Sequence, residues 1–222
     1  MKRSEINRSI REALDFLAEH RFPLPEWATW TPPMWNRHGE ECREIRDNAL
    51  GWDVTDFCKG NFSREGLTLF TIRNGNPARD RKTYCEKIMF VREGQVTPIH
   101  FHWHKMEDII NRGGGDLCMK LWKADQKERM TETPCTFQVN GIRTTLRAGE
   151  ILRLRPGQSI TFEPYMYHTF WAEGGDCLAG EVSTVNDDTA DNRFHEPLGR
   201  YPQIEEDEAA EYLLCNEYSL QK

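Results

Sequence analysis

The chain has 222 residues, of which 29 are basic and 36 acidic, giving a formal net charge of −7 and a pI near 5.6. This length fits one domain with decorations and is enough to bury a sizeable core, while the acidic balance gives no electrostatic footprint for nucleic acid or an anionic membrane. No run approaches the roughly 18 apolar residues of a membrane-spanning helix, and no apolar core of a signal peptide follows residues 1–7. We therefore expect a cytoplasmic protein.

The seven cysteines are odd in number and widely spread, without a Cys-x-x-Cys pair. This distribution argues against a disulfide framework or a cysteine-rich zinc site. We expect most of them to be reduced and buried as small apolar side chains.

The first 50 residues are predicted to contain a helix followed by irregular chain. Residues 4–20 have an amphipathic helical pattern, with Ser4 as the N-cap and prolines 23 and 25 ending the helix. The apolar residues at helical spacing are Ile6, Ile10, Leu14 and Leu17. The segment that follows, to about residue 48, is rich in Trp and Pro and is predicted to be irregular with short helical turns.

Residues 51–187 have a different pattern, in which short β-like runs alternate with turn signals such as Asn140-Gly141 and Pro156-Gly157. The runs are 66–73, 83–91, 97–104, 116–123, 136–139, 143–146, 150–154, 159–163, 168–173 and 178–185. Their number and spacing predict a mainly β sandwich or barrel of jelly-roll type. Residues 188–222 are predicted to form a loop and a final acidic helix at 205–214, packed outside the barrel. All three regions are assigned to a single domain, 1–222.

A histidine-rich stretch is the most informative feature of the chain. This stretch, residues 94–107, contains His100, His102 and Glu107, and a second strand-like run contains His168. These four residues are the candidate metal ligands. The first two histidines alternate along a predicted strand, so their imidazoles point the same way, about 7 Å apart. Such a set suits a single divalent transition metal ion. Spacing leaves His104, which shares the strand phase, and Asp108 open as alternative ligands.

The same stretch carries a resemblance to a known family. Gly94-x5-His100-x-His102-x4-Glu107-x6-Gly114 matches the first cupin motif at every defined position, whereas residues 164–168 keep the proline and histidine of the second motif but not its glycine or asparagine. Over nearly its full length the chain resembles the bacterial D-lyxose isomerases, which are cupin-type sugar isomerases. This resemblance also includes the Trp-rich N-terminal segment and residues 180–188. It implies a cupin jelly-roll barrel, or double-stranded β-helix, with the N-terminal and C-terminal helices outside it. It further implies a homodimer, and one divalent ion per chain on the four ligands above, with Mn2+ favoured over Zn2+, Co2+ or Fe2+.

Two charged residues interrupt apolar strands. Glu181 stands where a buried strand would carry an apolar side chain, unless it faces solvent on an alternating strand. Lys87 shares a strand phase with Cys85 and Met89, so its ammonium either reaches into the pocket, where it binds a sugar oxygen or stabilises an oxyanion, or snorkels from the barrel rim. With the resemblance added, a catalytic or metal-adjacent role is expected for Glu181, and Lys87 is expected to assist it by stabilising charge or moving the hydroxyl proton.

The loop after the last predicted strand is dense in groups that bind hydroxyls. Asp188 and Arg193 are expected there as substrate-binding residues at the rim of the pocket. Trp35, Trp103 and Trp171 either stack on a sugar face or belong to the core.

The resemblance implies an aldose–ketose isomerisation of D-lyxose and D-xylulose, with D-mannose and D-fructose as a second pair that shares the C2 configuration. A metal ion polarises the carbonyl in such a reaction, and a carboxylate moves a proton between C2 and C1 through an enediol. Glu181 is the expected base, and Glu163 and Asp188 are alternatives. Two other classes remain open: an Fe(II) dioxygenase with the same ligands, and a non-catalytic sugar-binding cupin whose metal is structural.

Overall fold

The computed structural model of the chain describes residues 1–218. Helix α1 spans Arg3–Glu19, α2 spans Pro32–Trp35 and α3 spans Arg43–Asp47, with 3-10 turns at Glu26–Thr29 and Glu40–Cys42. None of these helices is long and apolar enough to cross a membrane. The strands are β1 (Gly51–Thr55), β2 (Leu67–Arg73), β3 (Tyr84–Val91), β4 (Thr97–Phe101), β5 (Glu107–Lys123), β6 (Cys135–Val139), β7 (Ile142–Leu146), β8 (Ile151–Leu154), β9 (Ser159–Phe162), β10 (Met166–Thr184) and β11 (Arg193–Phe194).

All strand pairs in the described chain are antiparallel. Their order is β1-β2-β3-β10-β5-β9-β6-β7, while β4 pairs with β10 and β11, and β8 pairs with β5. The mainly β architecture predicted from the alternating runs is confirmed. Strands β1 and β11 were not among the predicted runs, and β4 ends at Phe101, before the predicted limit of 104.

Two strands are longer than predicted because glycines let them continue. The runs 168–173 and 178–185 form one strand, β10, in which Gly174 and Gly175 have φ values of 74° and 121° and accompany a shift of register. Strand β5 likewise begins at Glu107, before the predicted run at 116–123, and passes through glycines 113–115. As a result, β10 is long enough to pair with β3, β4 and β5. It carries both His168 and Glu181.

Alternation along the strands separates two apolar clusters. In β3, Met89 points into a cluster shared with β2, β5, β9 and β10, whereas Ile88 and Phe90 point the other way, towards α1. The helix is confirmed by the face it buries there, which consists of Ile6, Ile10, Ala13 and Leu17. Burying each large aliphatic side chain stabilises the fold by about 2 kcal/mol. Ser4 is not the N-cap, since the helix starts after Lys2 and the Ser4 hydroxyl donates to Asp207.

The cysteines behave as predicted. Within residues 1–218 no cysteine forms a disulfide; six are buried and Cys58 is exposed. Burial raises the pKa of the Cys85 thiol to about 12, with a smaller opposing effect of Lys87, so this thiol stays protonated at neutral pH.

The predicted C-terminal helix at 205–214 is wrong. The segment is irregular, with bends at 207–208 and 211–212, and it forms isolated bridges between Glu205 and Lys2 and between Leu214 and Trp52. Its acidic side chains bind α1 one after another: Glu206 pairs with Arg3, Asp207 with Ser4, Glu208 with Asn7, and Glu211 with Arg11. Since these partners lie along a neighbouring helix, tertiary contacts override the local helical pattern of the segment.

Arg3 is the centre of this contact and supports our first prediction. Its guanidinium is 2% exposed and binds Glu206 at 2.7 Å and Glu217 at 2.5 Å, and the Glu217 side chain is itself only 12% exposed. Arg3→Ala leaves that carboxylate without its counterion, so we expect the free energy of unfolding to fall by about 3 kcal/mol in urea titrations. The matched change Arg8→Ala removes an ion pair with Glu12, in which the two side chains are 60% and 45% exposed. Its loss should lower the free energy of unfolding by less than about 0.5 kcal/mol. Equal costs for the two variants would contradict this account.

Candidate active site

Three histidines converge because of strand pairing. His100 lies near the end of β4 and His168 near the start of β10, and the two residues are direct cross-strand partners with ring centroids 4.2 Å apart. His102 follows the end of β4, and its ring centroid is 5.1 Å from that of His100. One nitrogen from each of the three rings lies within 4.8 Å of the other two. The predicted convergence therefore occurs, although His102 lies beyond the strand rather than on it.

Each imidazole is held in one orientation by a backbone carbonyl. The Nδ1 atoms of His100, His102 and His168 lie 2.8, 2.6 and 3.0 Å from the carbonyl oxygens of Pro98, Asp191 and Met166. A carbonyl only accepts, so Nδ1 must be the protonated nitrogen and Nε2 keeps its lone pair. This is the arrangement that fixes metal-binding histidines.

Glu107 completes the cluster from the first residue of β5. Its Oε1 lies 3.4 Å from Nε2 of His102 and 3.3 Å from Nε2 of His168. The same oxygen is buried and has no hydrogen-bond donor. Ligands about 2.1 Å from one ion and at right angles to each other lie about 3 Å apart, so these separations and the orphaned oxygen fit a bound divalent cation.

Burial keeps His100 and His168 neutral. It lowers the pKa of His100 well below its usual value, with additional lowering from His168 and His102. Burial also lowers the pKa of His168 to about 4, although the Glu107 carboxylate acts in the opposite direction. Neutral imidazoles are the form that binds metal, so no proton has to leave these rings when an ion binds at neutral pH.

A buried lysine links this cluster to Glu181. The Nζ atom of Lys105 lies 2.8 Å from Oε2 of Glu107 and 2.9 Å from Oε1 of Glu181. Lys87 approaches the same Glu181 oxygen at 3.5 Å from the neighbouring strand β3, where the two residues are cross-strand partners. Glu181 is 5% exposed and Lys87 is 3% exposed, so Glu181 does not face solvent and Lys87 does not snorkel.

The charges of this group support one another. Burial alone would raise the pKa of Glu181, but Lys105 and then Lys87 outweigh it and hold the pKa below its usual value. Burial would likewise lower the pKa of Lys105, but the carboxylates of Glu107, Glu181 and Asp188 raise it instead. Glu181 is therefore an ionised carboxylate next to two ammonium groups, as a proton acceptor must be.

Asp188 lies on the other side of Lys87, with 3.8 Å between Oδ2 and Nζ. It also lies 3.2 Å from the guanidinium of Arg200, which in turn binds Asp53 at 2.5 Å. The Nη1 atom of Arg200 is buried and has no acceptor. The Asp188 carboxylate therefore provides an acceptor for hydroxyl groups, and the Arg200 guanidinium provides a donor.

These residues line one cavity, whose apolar walls include Phe57, Met89, Phe170 and Phe194. Arg193 is not brought to it: its guanidinium binds Glu128 at 2.9 Å, because β11 directs this side chain away from the cavity, and Arg200 lines the wall instead. His104 and Glu163 are exposed. Asp108 points to the opposite face of β5 from Glu107, as the alternating burial of that strand shows.

None of the three tryptophans considered as sugar platforms lines the cavity. Trp35 packs in a cluster with Leu213 and Tyr218, and the indole nitrogen of Trp103 donates to Glu128. Trp171 lies in a separate surface groove with Trp122. The aromatic side chains around the cavity are phenylalanines, which carry no polar atom.

Sequence reasoning missed Lys105, Arg200 and Asn186, whose side-chain oxygen accepts from both site lysines. Lys105 stands inside the histidine motif, but the chain between β4 and β5 is not a strand, so periodicity could not show that it is buried. The one sequence feature that could have indicated a role for Lys105 was its position, two residues before Glu107.

The chain is similar to known sugar isomerases. The sequence model described as D-lyxose isomerase matches residues 1–218. Proteins named D-lyxose/D-mannose isomerase from Escherichia coli O157:H7 and Serratia proteamaculans are each 50% identical over 223 residues, covering 98% of both chains.

Solved structures agree on the fold. An L-ribose isomerase of Cellulomonas parahominis with L-psicose has a TM-score of 0.60 at 18% identity and covers 92% of this chain and 98% of its own. The L-ribose isomerase of Acinetobacter sp. DL28 in complex with L-ribose has a TM-score of 0.60 at 16% identity, with coverage of 91% and 98%. These likenesses and the antiparallel barrel strands confirm the predicted cupin-type fold.

Proposed function

This chain belongs to the D-lyxose isomerase family and is a sugar isomerase, and we propose that it interconverts D-lyxose and D-xylulose, and also D-mannose and D-fructose. The names of the two relatives at 50% identity pair these aldoses. The observation that carries the proposal is the ionised Glu181, buried beside two lysines in the same cavity as the three histidines and Glu107. A proton acceptor and a cation site in one cavity are what isomerisation through an enediol requires.

The residues proposed to hold a divalent ion are His100, His102, Glu107 and His168, with Mn2+ as the expected ion. The ion, when bound, supplies Lewis-acid polarisation of the sugar carbonyl. Four protein ligands leave positions open for water or substrate on an ion that accepts six. The backbone carbonyls behind each imidazole hold the ligands in place before substrate arrives.

Glu181 is proposed to move the proton between C2 and C1. Its ionised carboxylate removes the C2 proton of the aldose and returns it to C1 from the same face of the sugar. Lys87 and Lys105 hold this carboxylate in position, and the Lys87 ammonium stabilises the oxygen that becomes negative. Asp188, together with Arg200, is proposed to bind hydroxyl groups further along the sugar, a role that sequence analysis gave to Arg193.

The test is incubation of EDTA-stripped protein with D-lyxose under strict exclusion of oxygen, with and without added Mn2+, following D-xylulose. We expect product only in the sample with metal, since Glu181 alone does not polarise the carbonyl. The family match favours an isomerase over an Fe(II) dioxygenase or a non-catalytic cupin, and turnover without oxygen checks this independently. Absence of product from protein that has bound Mn2+ would overturn the proposal.

Two further assignments accompany this function. We propose a homodimer, as the family resemblance implies, and a cytoplasmic location, as the reduced cysteines suggest. Mass measurement by light scattering tests the first, and fractionation of the producing cell tests the second. A monomeric mass at micromolar concentration would rule out the dimer.

A further inference from the structure

Asn186, just beyond the end of β10, contacts the charged groups of the site from one side. Its Oδ1 accepts from Nζ of Lys87 at 2.8 Å and from Nζ of Lys105 at 3.2 Å. The same two ammonium groups lie 3.5 and 2.9 Å from one oxygen of Glu181. The two lysines therefore share two acceptors, a carboxylate oxygen and a neutral amide oxygen.

The orientation of the Asn186 amide is fixed by its neighbours. Lysine ammonium groups only donate, so the oxygen must face them and the NH2 group must face elsewhere. The Asn186 amide also lowers the pKa of the nearby Asp188 carboxylate, as a polarised N–H close to a carboxylate does. A neutral amide suits a position between the lysines and this carboxylate, whereas aspartate in the same place would set two carboxylates against each other.

The backbone of Asn186 is clamped as well. Nδ2 of Asn74 donates to the Asn186 carbonyl at 2.9 Å, and the Asn186 amide N–H donates to Oδ1 of Asn74 at 3.0 Å. Asn74 is buried, and its own carbonyl accepts from Nδ2 of Asn48 at 2.9 Å. Asn186 lies outside a strand, yet its backbone N–H and carbonyl are both hydrogen-bonded, as those of a paired strand residue are.

We infer that Asn186 is a positioning residue that keeps Lys87 and Lys105 at fixed distances from Glu181. The inference rests on the proposed function, because it assumes that Glu181 moves the proton. Asn186 is not among the residues that line the cavity, so it acts through the lysines. Its contribution is to hold two ammonium groups that would otherwise be oriented only by carboxylates whose charge distribution changes during turnover.

The test compares wild type with Asn186→Ala and Asn186→Asp, using D-lyxose and D-lyxose deuterated at C2. Losing the positioning should lower kcat by about tenfold to a hundredfold in the alanine variant, with the bound Mn2+ and the thermal midpoint nearly unchanged. The isotope effect on kcat should rise, since proton transfer becomes slower relative to the other steps. Asn186→Asp should not restore kcat, since it keeps an acceptor for the lysines but adds a second carboxylate near Asp188. The surface variant Asn36→Ala is the matched control and should behave as wild type.

Three results would overturn the inference while leaving the proposed function intact. They are a kcat within twofold of wild type in Asn186→Ala, a reduced kcat with an unchanged isotope effect, as a smaller fraction of folded enzyme would give, and full recovery in Asn186→Asp. A wild-type protein that does not isomerise D-lyxose would overturn the proposed function and this inference with it.

Discussion

Glu181→Gln should lower kcat for D-lyxose by about a thousandfold, because the amide keeps the shape of the side chain but cannot accept a proton from carbon. KM should change little, since the amide oxygen still accepts from Lys105 and Lys87, which lie 2.9 and 3.5 Å from Oε1 in the native chain. Bound Mn2+, measured by elemental analysis, should stay at the wild-type level, because the proposed ligands are untouched.

The control for this prediction is Glu163→Gln. Glu163 was an alternative base in the sequence analysis, but its side chain is exposed and does not line the cavity, so its kcat should remain within about twofold of wild type. Exchange of the C2 proton with deuterated water gives a second measurement, which should disappear with kcat in Glu181→Gln. Near-normal turnover by that variant with metal bound would show that another group in the cavity, such as the Asp188 carboxylate, moves the proton.

The convergence of the four proposed ligands could be predicted because they combine a local motif with a strong periodic signal. His100, His102 and Glu107 lie within eight positions of one another, and His168 lies in an aromatic strand that pairs with the first histidine. Glu181 and Lys87 were found for a different reason. Each is a charged residue in an apolar strand, and burial of such a residue demands a partner; the structure shows that they are partners of each other.

The sequence was less informative where contacts are made by chain outside regular strands. Arg200 and Asn186 lie in loops, where no periodicity reports the direction of a side chain. Arg193 was predicted because it lies in the loop directly after the last predicted strand, whereas Arg200 had no sequence signal of its own. The C-terminal acidic run failed as a helix for a related reason, since its carboxylates bind polar groups that stand along α1, and those partners lie nearly the whole chain away in sequence.

Lys105→Met should reduce kcat at neutral pH by about a hundredfold, although Lys105 is not expected to exchange a proton with the sugar. In the native chain this ammonium is the largest influence that keeps Glu181 ionised against burial. Without it, burial and the nearby Glu107 carboxylate raise the pKa of Glu181, so less of the base is ionised. The acid limb of the kcat–pH profile should therefore move to higher pH, and part of the lost rate should return as the pH is raised.

The pH dependence of the free energy of unfolding gives an independent measurement of how the Lys105 ammonium affects the carboxylates beside it. The native pKa values of Glu107 and Glu181 lie below their usual values, so these groups contribute stability above the pKa of the unfolded chain and lose it as the pH falls through their folded pKa. In Lys105→Met the sign reverses: two buried carboxylates lack their shared counterion, which should cost about 3 kcal/mol at neutral pH in metal-free protein and less as the pH is lowered.

Lys87→Met is the matched control for the kcat–pH profile, because the contact of Lys87 with Glu181 is longer, 3.5 Å against 2.9 Å. The acid limb of the Lys87→Met profile should therefore move less. Equal movement in both variants would show that Lys105 has no special hold on the base.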